Sequence, residues 1–93
     1  MEDSVRFALE NLLNVAHQDT GQGRRVANFL LAWWNAEEQG GFDLTDLFNV
    51  DARISEDMVT VFTWMAREHQ VSYPIDYRGE IEQIIAQWRT VPA

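Results

Sequence analysis

The sequence predicts an all-α protein, a compact bundle or array of four main helices plus one short helical turn, forming a single domain over residues 1–93. Three observations carry this prediction. Every apolar run keeps the period of a helix. The runs are separated by breaks that contain glycine or proline. Hydrophobic residues make up 46% of the chain, four Trp and five Phe among them, which supplies a dense core. One core is expected, since chains divide into several only at much greater length.

Val5, Leu9, Leu12, Leu13 and Ala16 form one helical stripe, predicting a helix from Ser4 to about His17 with Asp3 or Ser4 as its cap. The run Gln18-Asp19-Thr20-Gly21-Gln22-Gly23 reads as a turn. A second helix is expected from about Arg24 to Gln39, stopping at Gly40-Gly41, where glycine is free to take a positive φ. Its apolar face is wide. Val26, Phe29, Leu30 and Trp33 make one stripe, and Ala27, Leu31 and Trp34 make another about 100° around the axis. Such a helix is either central or covered by a partner.

Asp43 before Leu44-Thr45-Asp46 predicts a capped short turn over Asp43–Phe48 that places Leu47 and Phe48 in the core. Val50, Ile54, Met58, Val61, Phe62 and Met65 carry a third helix as far as His69, with Asp51 or Ser55 as alternative caps. Pro74 disfavours helix at the residue before it, so Gln70 to Asp76 is read as a break. The fourth helix follows from about Tyr77 to Arg89, marked by Ile81, Ile84, Ile85 and Trp88, and Val91-Pro92-Ala93 is expected to fray. The predicted core is Leu9, Leu12, Leu13, Phe29, Leu30, Trp33, Leu47, Phe48, Val61, Phe62, Met65, Ile81, Ile84 and Trp88.

Fifteen acidic residues against seven basic ones give a formal charge of −8, which opposes direct contact with nucleic acid and favours a protein partner with a basic surface. The absence of cysteine excludes disulfides, thiolate metal sites and a cysteine nucleophile. No apolar run reaches the roughly 20 residues of a membrane span, and the acidic start lacks the basic region of a secretory signal. A cytoplasmic location without membrane contact is expected.

The carboxylates Glu37, Glu38, Asp43, Asp46, Asp51, Glu56 and Asp57 fall within twenty-one residues that hold one base, Arg53. They read either as helix caps and first-turn acids or as an acidic face for a partner. The spacing and the glycine of a calcium loop are missing. Arg24 and Arg25 follow a glycine-bearing turn at a helix start, where they either bind an anion or neutralise nearby acids; the turn has neither a Walker lysine nor a preceding strand. His17 and His69 fall near predicted helix C-termini, where the dipole favours imidazolium, and no zinc-ligand spacing surrounds them. The chain offers no nucleophile–base set and no cofactor loop, so neither catalysis nor a cofactor is expected. The rival is a metal-dependent hydrolase using paired carboxylates such as Asp43 and Asp46. Trp33-Trp34 places one tryptophan near the surface, either packed on a neighbouring helix or exposed as an anchor for a partner.

From Val26 through Asn35-Ala36-Glu37-Glu38 and on through Gly40-Gly41-Phe42-Asp43-Leu44-Thr45-Asp46-Leu47, the chain resembles a family of small uncharacterised proteobacterial proteins. Members of that family often occur on integrative elements and plasmids. The likeness runs from about Leu9 to Trp88. It implies a bacterial cytoplasm and a mobile-element setting, and it lends no residue a role. Mobile elements encode many small acidic proteins that block host defence, anti-CRISPR proteins among them, an analogy of size, charge and setting. The functional expectation is an interaction module whose acidic residues, with Trp34 beside them, dock on a basic, nucleic-acid-binding surface. The alternative is a structural or regulatory subunit that binds through its Trp-rich apolar surface, and the wide second helix leaves a homodimer open.

Overall fold

In the computed structural model, which describes residues 1–89, four α-helices, α1 (Asp3–Ala16), α2 (Gly21–Gln39), α3 (Ala52–Arg67) and α4 (Arg78–Arg89), are joined with two 3₁₀ turns, η1 (Leu44–Asn49) and η2 (Ile75–Tyr77). No strand occurs among the described residues. The all-α prediction holds, and η1 is the predicted short turn, with the Asp43 carboxylate accepting from the Thr45 amide. The expected fraying of Val91-Pro92-Ala93 lies outside the described residues.

The helix starts differ from the predicted ones for local reasons. Neither Asp3 nor Ser4 caps α1; Glu2 stands at the cap position without a side-chain bond, and Asp3 lies in the first turn. Helix α2 begins at Gly21 rather than Arg24 because the Thr20 hydroxyl accepts from the Gly23 amide at 2.9 Å, an N-cap that turns Gly21 to Gly23 into helix. Gly23 is buried against the end of α1: a Cβ there would overlap the carbonyl oxygen of Gln18 and stand 2.9 Å from that of Val15. Glycine therefore sets how closely α2 seats on α1. At α3, Asp51 stands at the N-cap position, one of the two predicted, although its side chain makes no capping bond. Asp51 instead clasps Gln22: its amide donates to Oε1 at 2.6 Å and its carboxylate accepts from Nε2 at 3.3 Å.

Asn11 of α1 donates to Asp57 of α3 at 3.4 Å, while Glu2 and Val5 share a hollow with Trp64 and Arg67, so these two helices run antiparallel. Helix α4 closes the bundle with its last two described residues. Trp88 Nε1 donates to the Ala16 carbonyl at 2.8 Å, and Arg89 Nε donates to that of Gln39 at 3.0 Å. Both carbonyls end a helix and have no acceptor role inside it, so α4 satisfies the C-termini of α1 and α2. At its other end, Tyr77 donates to Glu10 at 2.7 Å and accepts from Arg6 at 3.3 Å.

The core contains Leu9, Leu12, Leu13, Phe29, Leu30, Val61, Ile81 and Ile84, all as predicted, with Val26, Ala27, Leu31, Ile54 and Met58 beside them. Trp33, Leu47, Met65 and Trp88 pack half-buried against it. Helix α1 is the central helix, packed on α2, α3 and α4, while α2 lies between α1 and α4 with its apolar residues buried or half-buried within the chain. Two predicted core residues are corrected: Phe48 is 89% exposed and Phe62 is 58% exposed. Phe62 is rotated about 100° from buried Val61, onto the flank of α3. Phe48 follows Leu47 in a 3₁₀ turn, about 120° around from it.

Candidate docking groove

Inside α2, Asn35 takes an extended conformation (φ −168, ψ 83), and its side-chain oxygen accepts from the Glu38 amide at 3.2 Å. That is the geometry of an N-cap, so the helix stops and restarts for one turn, with Glu37 and Glu38 in a first turn that favours negative charge. Gly40 (φ 93, ψ 166) then reverses the chain. The following segment runs back along α2. Phe42 meets Phe29 edge-on at 5.3 Å, Asp46 reaches Arg25 at 3.8 Å, and Asp51 meets Gln22.

Between this returning segment and α3 lies a groove of about 190 Å³ lined by Phe29, Phe42, Leu44, Leu47, Met58, Val59 and Phe62, with no polar atom on its surface. Leu44 is 67% exposed and Val59 55%. The volume falls below the roughly 300 Å³ at which small-molecule sites begin, and suits side chains of a partner. A larger hollow of about 520 Å³ lies between the start of α1 and the end of α3, lined by Glu2, Val5, Thr60, Thr63, Trp64 and Arg67 among others. It is open and mixed in polarity, and therefore offers less hydrophobic gain on filling.

The structure spreads the seven predicted carboxylates over three places. Glu37 and Glu38 are exposed at the end of α2. Asp43, Asp46 and Asp51 lie along the returning segment, and Glu56 and Asp57 in the second turn of α3. Asp43 and Glu56 are exposed, while Asp46 is held by Arg25, Asp51 by Gln22 and Asp57 by Asn11. The hydroxyl of Thr45, at 2.8 Å, together with its amide holds the Asp43 carboxyl below its ordinary range. Burial pushes Asp57 up, against the pull of Asn11 and Arg53. Asp43 and Asp46 therefore bond to Thr45 and Arg25 respectively, and among the described residues no three His, Asp or Glu side chains are placed to hold a metal ion.

Arg25 is turned to Asp46, which leaves Arg24 exposed at the start of α2. His17 follows α1 directly, as expected, and His69 lies two residues beyond α3. Trp34 is half-buried beneath the Arg78 guanidinium, 5.1 Å from its ring. It stands nine residues along α2 from Arg25, about 14 Å at the helical rise, and so is separated from Asp46 and Asp51. Trp33 donates to the Ser72 carbonyl at 2.9 Å and packs edge-on against Trp64. None of the seven groove residues belonged to the sequence-based site. Val59 was the available signal, an apolar residue lying off the stripe of Ile54, Met58, Val61 and Met65.

No helix among the described residues is long and apolar enough to cross a membrane. No curated protein and no solved structure matches the chain. The model of the family described as Family of unknown function (DUF7673) matches residues 6–89, somewhat beyond the likeness read from the sequence, and the chain belongs to that family.

Proposed function

We propose that this protein is a non-catalytic interaction module that docks on a basic, nucleic-acid-binding surface of a partner protein, with the groove beside η1 as its anchoring point. One observation carries this reading: a wholly apolar groove is built from a strongly acidic stretch. Residues 42–62 supply six of its seven lining residues, and hold five acids (Asp43, Asp46, Asp51, Glu56, Asp57) against Arg53 alone. Carboxylates around an apolar pocket steer a cationic partner and suppress wrong ones, while the pocket supplies the contact area. The resemblance in the central block supports a bacterial cytoplasmic, mobile-element setting, in which an anti-CRISPR-like inhibitor would act in this way.

A second reading has its own observation. Val71, Tyr73 and Ile75 are exposed in the loop beside Trp33 and Trp34, which is the surface that a structural or regulatory subunit would use. A pull-down from bacterial lysate at low and high salt, with wild type, Asp43→Lys/Glu56→Lys and Tyr73→Ser, separates the two. The docking reading expects a nucleic-acid-binding partner that is lost at high salt and with the charge reversals. Retention in both conditions, with loss on Tyr73→Ser, would overturn it in favour of the Trp-rich surface.

A further inference from the structure

We infer that the groove's occupant is the apolar face of a basic amphipathic helix, an inference that rests on the docking reading above. The lining decides the backbone form of the occupant. An extended segment carries free N–H and C=O groups that must be paired once water leaves, and recognition of a strand works by pairing them with a sheet edge. This groove presents no polar atom and the described residues contain no strand. A helix satisfies its own backbone and needs only apolar contact. The walls match that demand: Met58 and Phe62 are one turn apart on α3, and Leu44 and Leu47 one turn apart on η1. The space equals that of about six water molecules, enough for two Leu-sized side chains at i and i+4.

Charge decides the class of partner. A second copy of this chain would bring residues 42–62, with five acids and one base, against the same stretch, inside a molecule of charge −8. Like charges brought into apposition cost binding energy, so self-docking at this face is opposed. A helix whose flanks carry Arg or Lys meets the exposed carboxylates of Asp43 and Glu56 while its apolar side chains fill the groove.

The test uses fluorescein-labelled peptides of about sixteen residues, long enough to sample helix. One has Leu at i, i+4 and i+7 with Arg on the flanks, and the other is a scramble of the same composition with no helical stripe. Anisotropy at low salt should show the amphipathic peptide binding about tenfold or more tighter than the scramble. Phe62→Ser and Leu44→Ser should each weaken it by about tenfold, the loss of one well-packed anchor. Phe7→Ser, which removes an aromatic 67% exposed on α1, should leave it unchanged. Equal, salt-sensitive binding of both peptides, untouched by Phe62→Ser, would overturn the helix inference and leave the acidic docking reading standing. No binding of either peptide at low salt would overturn both. A wild-type dimer in sedimentation that Phe62→Ser dissolves would make a second copy the occupant and overturn the inference too.

Discussion

The tryptophan edge and the phenylalanine groove are both apolar, both partly exposed, and built on opposite principles. At the edge, Trp33 ties the loop to α2 through Ser72 and packs on Trp64, while Arg78 covers Trp34. At the bundle's end, Trp88 ends α1 by donating to Ala16. The indole N–H groups of Trp33 and Trp88 each meet a carbonyl that secondary structure leaves free, so these two rings fasten the fold. Phe29, Phe42 and Phe62 have no such handle. They gather where no backbone group is presented, and what they leave is an unfilled apolar surface. Aromatic content alone therefore does not locate a docking site; the presence or absence of a satisfied polar end separates the two kinds.

A variant that strikes both regions sets the scale. Both hang from α2, and α2 is seated by Gly23 against the carbonyls of Gln18 and Val15. Gly23→Ala should cost about 3 kcal/mol, since a methyl group there displaces backbone rather than a flexible side chain. Urea unfolding would show it; a loss under about 1 kcal/mol would mean that the α1–α2 turn adapts freely.

The next pair of variants tests the contrast itself. Trp33→Ala removes a half-buried ring and leaves the Ser72 carbonyl without its donor, and should destabilise by about 2 kcal/mol. Phe62→Ser, on an exposed flank, should change stability by no more than about 0.5 kcal/mol. Similar losses in the two would make the groove a structural element rather than a surface kept open.

Most of the fold was legible because period and breaks are local signals. The stripes of α1 and α3, the stop at Gly40 and the break before Pro74 all follow from spacing and backbone chemistry. The groove was not legible. Phe62 continues the apolar run Val61-Phe62; the packing of α3 on α1 buries Val61, and Phe62 lines a groove because η1 is placed beside it. That placement depends on Asn35 breaking α2 while its side chain caps the next turn, which no period reports. Of the predicted site, the sequence shows an acidic stretch and not where the fold places each carboxylate. Its division among Arg25, Gln22 and Asn11 is tertiary.

The chain reversal offers a way to perturb one region and spare the other. Gly40 holds φ 93 and ψ 166, a region essentially reserved for glycine, and a Cβ there would meet nothing within 4 Å. Gly40→Ala should therefore cost about 1–2 kcal/mol through the backbone alone. Because the reversal lays Phe42 on Phe29, the groove should loosen while the indole N–H resonance of Trp33 keeps its position. A shifted Trp33 signal would show that the two regions move together.

The smallest expected effect concerns the two aspartates that differ most in surroundings. The Thr45 hydroxyl and amide hold Asp43 down, so its stabilising contribution is present above the unfolded pKa and is lost as pH falls through the folded one. Burial holds Asp57 up, so the fold favours its protonated form; that contribution is present below the unfolded pKa and is lost as pH rises through the folded one. Carboxyl carbon resonances followed on acidification should report Asp57 titrating above the ordinary value of about 3.9, and Asp43 below it. Between those two transitions, Asp57 on the α1 side of α3 is neutral while Asp43, between groove residues Phe42 and Leu44, still carries its charge. Binding of the basic amphipathic peptide should accordingly survive Asp57→Asn, which leaves the groove's carboxylates in place, and weaken with Asp43→Asn. If affinity instead follows Asp57 and ignores Asp43→Asn, the charge that steers a partner to the groove does not come from Asp43.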